Sequence, residues 1–151
     1  MIFMSITDWI QLEEKGVDKA NNFLSGEDNR VLIDNYLAAY NRFDLDDMLA
    51  LVHPDIEFKN VAGGEVNAMA SGINEFRQMA ERSKGLFSAR KQTVRRLEIR
   101  DNKGLVVEVT YEGVLAADLP NGMKKGETLR LNGRSEFEFR DGKIFRITDI
   151  S

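Results

Sequence analysis

The first strong periodic signal in the chain begins at Arg30. Val31, Ile33, Tyr36, Leu37, Tyr40 and Phe43 recur at helical spacing, which puts one apolar stripe on a helix of about four turns. Asp44-Leu-Asp-Asp47 has the form of a capping box, so a second helix opens where the first ends and carries Met48, Leu49, Leu51 and Val52. His53-Pro54-Asp55 stops it, because the Pro54 ring cannot continue a helix and restrains His53. Ile56 to Val61 has the shape of a short strand, and the glycine-rich stretch from Ala62 to Gly72 reads as a loop. A third helix follows, with Ile73, Phe76, Met79 and Ala80 on one side and Gly85 as its cap.

After residue 88 the period changes from helical to two. Gln92 to Arg100 is a strand, with a bulge expected near Arg95-Arg96 where the alternation slips. Asp101-Asn-Lys-Gly104 is a hairpin turn. Leu105, Val107, Val109 and Tyr111 alternate along the next strand, which could extend to Ala117. Glu127 to Arg140 is long, with Leu129, Leu131, Gly133, Ser135, Phe137 and Phe139 on one face. Asp141-Gly142 is a strong two-residue hairpin signal, and Lys143 to Ile150 closes the sheet. Helices followed by hairpin-connected strands are the order of an α+β domain: a curved antiparallel sheet packed against N-terminal helices, whose concavity encloses a pocket.

The preceding segment is less regular. Ser5-Ile-Thr-Asp8 resembles a capping box for a short amphipathic helix to Lys15, with Gly16 as its stop, and Val17 to Asn29 reads as a second short helix or a linker. Residues 1–29 are thus expected to form a helical extension, anchored by Phe3, Trp9 and Ile10, on a domain spanning 30–151. Its apolar start, Met1-Ile-Phe-Met, lacks a basic leader and a long apolar core, so a cytoplasmic protein is expected.

Composition narrows the chemistry. The chain has 151 residues and a net charge of −4, against the basic excess expected of a nucleic-acid-binding protein. It has no cysteine and one histidine, which removes disulfides, thiolate chemistry and a multi-histidine metal site within one chain. No stretch approaches the ~18 apolar residues of a membrane span. Neither a metal nor an organic cofactor is expected, and the expected ligand is a small apolar molecule.

The run from Tyr36 to Phe58, YLAAYNRFDLDDMLALVHPDIEF, resembles the opening of the nuclear transport factor 2-like superfamily, which includes ketosteroid isomerases and SnoaL-type polyketide cyclases. The run from Phe137 to Asp149 is similar to its terminal hairpin, and Gly72 to Phe76 to its glycine-led third helix. The resemblance spans roughly residues 30–150, is carried by the ordered set of motifs, and is nearest in pattern to the SnoaL-like group. It implies a cone-shaped α+β domain and a homodimer joined through the outer sheet face. It also implies that Tyr36 stands where the isomerases have a hydrogen-bond donor to the developing enolate. Their general-base aspartate falls at Asn60 and their protonated aspartate at Ser135. An amide cannot abstract a proton at neutral pH, so the steroid-isomerase mechanism is not supported.

Among candidate groups, Asp149 shares a strand face with Phe145 and Ile147 and is either a carboxylate entering an apolar cavity, where desolvation would suit it to proton transfer, or a solvated strand end. Tyr36 and Tyr40 share a helix face, as phenols pointing into the cavity or as core tyrosines. Asn60 and Ser135 would line the pocket with neutral hydrogen-bonding groups, and Met69 with the loop from Gly63 to Gly72 would form its rim. Phe58, Phe76, Met79, Leu86, Phe87, Tyr111 and Phe137 supply bulky apolar surface, as lining or as core. His53 is read as capping helix carbonyls outside the pocket. Arg96, Arg100, Arg130 and Arg134, with Glu108, Glu112, Glu136 and Glu138, are read as a charge ladder on the outer face. Two functions stay open: a cofactor-independent isomerase, cyclase or hydratase using Asp149 and Tyr36, or a non-catalytic ligand-binding or dimerisation module.

Overall fold

A computed structural model describes residues 24–101 and 104–151. The expected helix from Ser5 to Lys15 and the anchors Phe3, Trp9 and Ile10 lie outside them. The first described helix, α1, runs Leu24–Asn41, so it starts before Arg30. It buries Ile33, Tyr36, Leu37, Ala39 and Tyr40, while Val31 is exposed and Phe43 lies beyond the helix end. In α2, Leu45–Ala50, Asp44 caps the amide of Asp47 at 3.1 Å, and Met48 and Leu49 are buried.

Strand β1, Val52–Ala62, begins before the expected Ile56 and takes Val52 from the helix. It tolerates Pro54 because the pairing of β1 is interrupted between Val52 and Glu57, so the missing amide breaks no ladder bond. The segment read as a loop from Ala62 to Gly72 contains a further strand, β2, Glu65–Ser71, paired antiparallel with β1 across a turn at Gly63 and Gly64. Helix α3, Ile73–Leu86, continues through Gly85 rather than ending there. Its buried positions, Phe76 and Ala80, lie four residues apart, one turn along the same face.

Four strands complete the sheet: β3 Phe87–Ile99, β4 Leu105–Leu115, β5 Thr128–Arg140 and β6 Lys143–Ile150. Strand β4 stops short of Ala117, and the β3–β4 register shifts between Val94 and Arg96, where the bulge is expected. Asp141 and Gly142 both have positive φ, the type I′ geometry that an Asp-Gly pair supplies. The strand order is β2-β1-β6-β5-β4-β3. Neighbours pair antiparallel except β1 and β6, which run parallel.

A bulge at the start of β6 shifts the register between Glu138 and Phe139. It turns Ile144 into the core, whereas Phe145, expected beside Ile147 and Asp149, packs with His53 at 5.5 Å and Arg140 at 3.7 Å. His53 caps no helix. Its Nδ1 accepts from the Asp55 amide at 2.9 Å, which leaves the proton on Nε2, facing Asp141 at 3.4 Å. The outer face carries the ladder: Arg130 lies 3.4 Å from Glu112, Arg96 3.9 Å from Glu108 and Arg146 3.0 Å from Glu138. Among the described residues, no helix is long and apolar enough to cross a membrane.

Candidate functional site

Strand register decides which side chains meet inside the cone. Asn60 of β1 is opposite Asp149 of β6, Asp149 is opposite Ser135 of β5, and Ser135 is opposite Val107 of β4. Paired positions point to one face, so these four form a row across the inner surface. The Ser135 hydroxyl donates to Asp149 Oδ1 at 2.6 Å, and both residues are buried. Asn60 is half-buried, and its side-chain nitrogen donates to Asn67 Oδ1 at 2.7 Å.

The row ends at a cavity of about 220 Å³, below the ~300–1,000 Å³ of drug-sized sites, so it suits a ligand of one or two rings. Asp149 and Asn60 reach it from the polar side. Ser83, Leu86 and Phe87 line it from α3 and the start of β3, and Tyr111 from β4. Leu129, Leu131 and Gly133 of β5 complete the wall. Leu86 and Leu131 are largely exposed, which gives an apolar edge to a cavity holding a buried carboxyl.

Burial pushes the Asp149 carboxyl above its ordinary value, and the hydrogen bond from Ser135 opposes this only in part. Tyr36, buried on α1, is held strongly protonated by desolvation and then by the charge of Asp149. Its ring meets Phe137 edge-on at 6.4 Å. Tyr36 therefore stands near Asp149 as a neutral phenol, a donor rather than a base.

The structure brings Asp149, Asn60 and Tyr111 to the cavity, with Ser135 and Tyr36 behind Asp149. Phe58, Phe76 and Phe137 are buried in the main core, with Met79 packed against it, and none of the four lines the cavity. Tyr40 is fully buried and reaches the site through Tyr111, with which it shares a hydrogen bond. Met69 is 63 % exposed on the edge strand β2, so neither it nor the segment from Gly63 to Gly72 is a rim; the two-glycine turn lets that segment pair with β1 instead.

Sequence reasoning missed Ser83, Arg90 and Gln92. Arg90 and Gln92 are buried on the inner face of β3 together with Val94. Stepping back by twos from Val94 would have found them, but a charged residue between polar neighbours reads as surface. Among the described residues, no group of His, Cys, Asp and Glu could hold a metal ion.

A family model of the SnoaL-like domain matches residues 33–147. The chain belongs to the SnoaL-like family. This family is part of the nuclear transport factor 2-like superfamily, in agreement with the cone of helices and curved sheet. No curated protein matches the sequence.

Solved structures share the fold of this SnoaL-like chain. A candidate polyketide cyclase from Xanthomonas campestris pv. campestris is 24 % identical with a TM-score of 0.66, over 84 % of this chain and 92 % of that one. TerC, co-crystallised with polyporic acid, is 21 % identical with a TM-score of 0.65, over 82 % and 90 %. An LEH-like epoxide hydrolase from M. tuberculosis is 18 % identical with a TM-score of 0.65, over 82 % of each chain. At such identities the likeness establishes the fold and leaves the reaction to the site.

Proposed function

We propose that this SnoaL-like protein is a cofactor-independent enzyme acting on a small, largely apolar molecule, with Asp149 as its general base. The carrying observation is the buried Asp149 carboxyl, bonded to Ser135 at 2.6 Å and lining an apolar-edged cavity. A carboxyl whose proton affinity is raised by burial is a stronger base than a solvated one and is poised nearer neutral pH. In the ionised form it takes a proton from carbon beside a ligand carbonyl and becomes the neutral acid, while the electron pair moves to the carbonyl oxygen as an enolate. Ser135 holds the carboxyl in place, the neutral Tyr36 phenol lies near it, and Asn60 orients the ligand. Polyketide cyclase and epoxide hydrolase descriptions among the neighbours agree with proton transfer or addition of water in such a pocket.

The test is hydrogen–deuterium exchange at the α-carbon of 2-tetralone in D2O, followed by NMR. The wild-type protein should accelerate exchange and Asp149→Asn should not. Equal rates in the two proteins would remove Asp149 as a base. The binding-only reading rests on Asn60, an amide at the position where the resemblance puts the isomerases' base; it predicts saturable chemical-shift changes with 2-tetralone and no exchange. We further propose a cytoplasmic homodimer joined through the outer sheet face. Light scattering reads its mass, and a monomer at micromolar concentration would end that part.

A further inference from the structure

Behind the Tyr111 side of the cavity, and not lining it, lies a buried cation. Arg90 is 7 % exposed, and its guanidinium carbon lies 3.4 Å from the centre of the Tyr40 ring and 4.2 Å from that of Phe43. Nη2 donates to the Tyr40 carbonyl at 2.8 Å, while among the described residues the buried Nε and Nη1 have no hydrogen-bond partner. Among the described residues, no carboxylate lies within ion-pair distance of Arg90. A buried charge met only by rings and a carbonyl is costly to keep, and its field is screened little by water.

That field reaches the cavity along a hydrogen-bonded chain. Tyr40 bonds with Ser83 and with Tyr111, and both of these partners line the cavity. Opposite Arg90 in the register is Gly113, where a Cβ would fall 2.6 Å from the Phe87 ring and 3.1 Å from the Tyr111 hydroxyl. The glycine therefore leaves the room in which that hydroxyl sits. The ionisable groups that interact with Arg90 are Tyr36, Tyr40 and Tyr111, and its charge opposes the upward push of burial on all three. Tyr111, held up at about 12, stays a neutral donor at any physiological pH.

We propose that the Tyr111 end of the cavity is an oxyanion site: it receives a phenolate or enolate oxygen of a flat ligand, and Arg90 is the positioning residue whose charge reaches that oxygen through Tyr40. This inference rests on the cavity being a ligand site and adds the charge state of what it binds. It uses no contact between ligand and Arg90. It assigns the negative charge to the ligand end opposite Asp149, so a proton leaves at one wall and the electron pair is stabilised at the other.

The probe is 4-nitrophenol, whose phenolate absorbs visible light. Titrated with the intact protein, the bound probe should ionise about one pH unit below its value in water, a roughly tenfold preference for the anion. Arg90→Met should abolish that shift, and Tyr111→Phe should abolish it while leaving the cation in place. Arg90→Lys, a point charge lacking the planar stack, should recover only part of it. A shift unchanged in Arg90→Met, or in Tyr111→Phe if the first variant does not fold by circular dichroism, overturns the proposal. Binding of the neutral phenol alone, or no binding, also overturns it. Exchange of 2-tetralone in the Asp149→Asn protein reads the other assignment separately: exchange that persists there beside a phenolate shift that Arg90→Met removes would end the role of Asp149 only.

Discussion

On the outer face of the sheet, Arg130 meets Glu112 at 3.4 Å and Arg146 meets Glu138 at 3.0 Å, with every partner at least two-fifths exposed. On the inner face, a hydroxyl meets the Asp149 carboxylate, and two aromatic rings and a carbonyl meet the Arg90 guanidinium. The residue types are the same, but their surroundings differ. Outside, water screens each pair, which contributes little to stability. Inside, desolvation alters what the group can do, and that alteration is the basis of the proposed reactivity.

The largest effect expected on this contrast comes from removing its scaffold. Phe76 is fully buried and its ring packs at a tilt against Phe58, 5.9 Å between centres, so Phe76→Ala should cost about 3–5 kcal/mol in urea unfolding. Next is Gly133→Ala. The added Cβ would fall 2.7 Å from the Ile150 carbonyl oxygen, next to Asp149, and backbone cannot yield as a side-chain tip can. A loss of about 1–3 kcal/mol is expected, with amide shifts concentrated at the end of β6. Shifts spread evenly through the sheet would argue against the crowding.

Asp149 gives the third prediction, and its sign depends on pH. Burial raises the folded-state value above the unfolded one, so between the two the folded protein keeps a proton that the unfolded chain has released. Stability should fall as pH rises from the ordinary aspartate value of about 4 through that window, then level off. Asp149→Asn, which cannot ionise, should melt above wild type at pH 7. The gap should close as the pH approaches 4. A gap that widens on acidification would mean that the carboxylate is stabilised by the fold. Smallest of all, Arg130→Ala should change stability by less than about 0.5 kcal/mol, and less again in high salt. A larger change would make the outer face something other than a solvated ladder.

How far the sequence reveals this molecule varies by region for physical reasons. Strands β4 and β5 and the Asp141-Gly142 turn were readable because one face is wet and one dry, which forces alternation. Strand β2 was not, because it is a short edge strand in which Ala70 alone is buried and the rest is small, polar or exposed. The face of Asp149 followed from alternation with Ile147, while Phe145 was misplaced because a bulge does not appear in the residues it displaces. Arg90 stayed hidden because a guanidinium between two aromatic rings relies on Tyr40 and Phe43, both far away in sequence.

The parallel pairing of β1 with β6 has a consequence for how the polypeptide is made. Strand β6 sits between β1 and β5, so two of the six strands, β1 and β2, join the rest of the sheet only through a segment translated after all the other described strands. A nascent chain still lacking that segment can form its helices and local hairpins, yet it leaves Phe58 and Ile56 without the neighbours that Ile147 supplies. Maturation should therefore wait until that segment has emerged from the ribosome, with slow, nonlocal closure of the sheet following it.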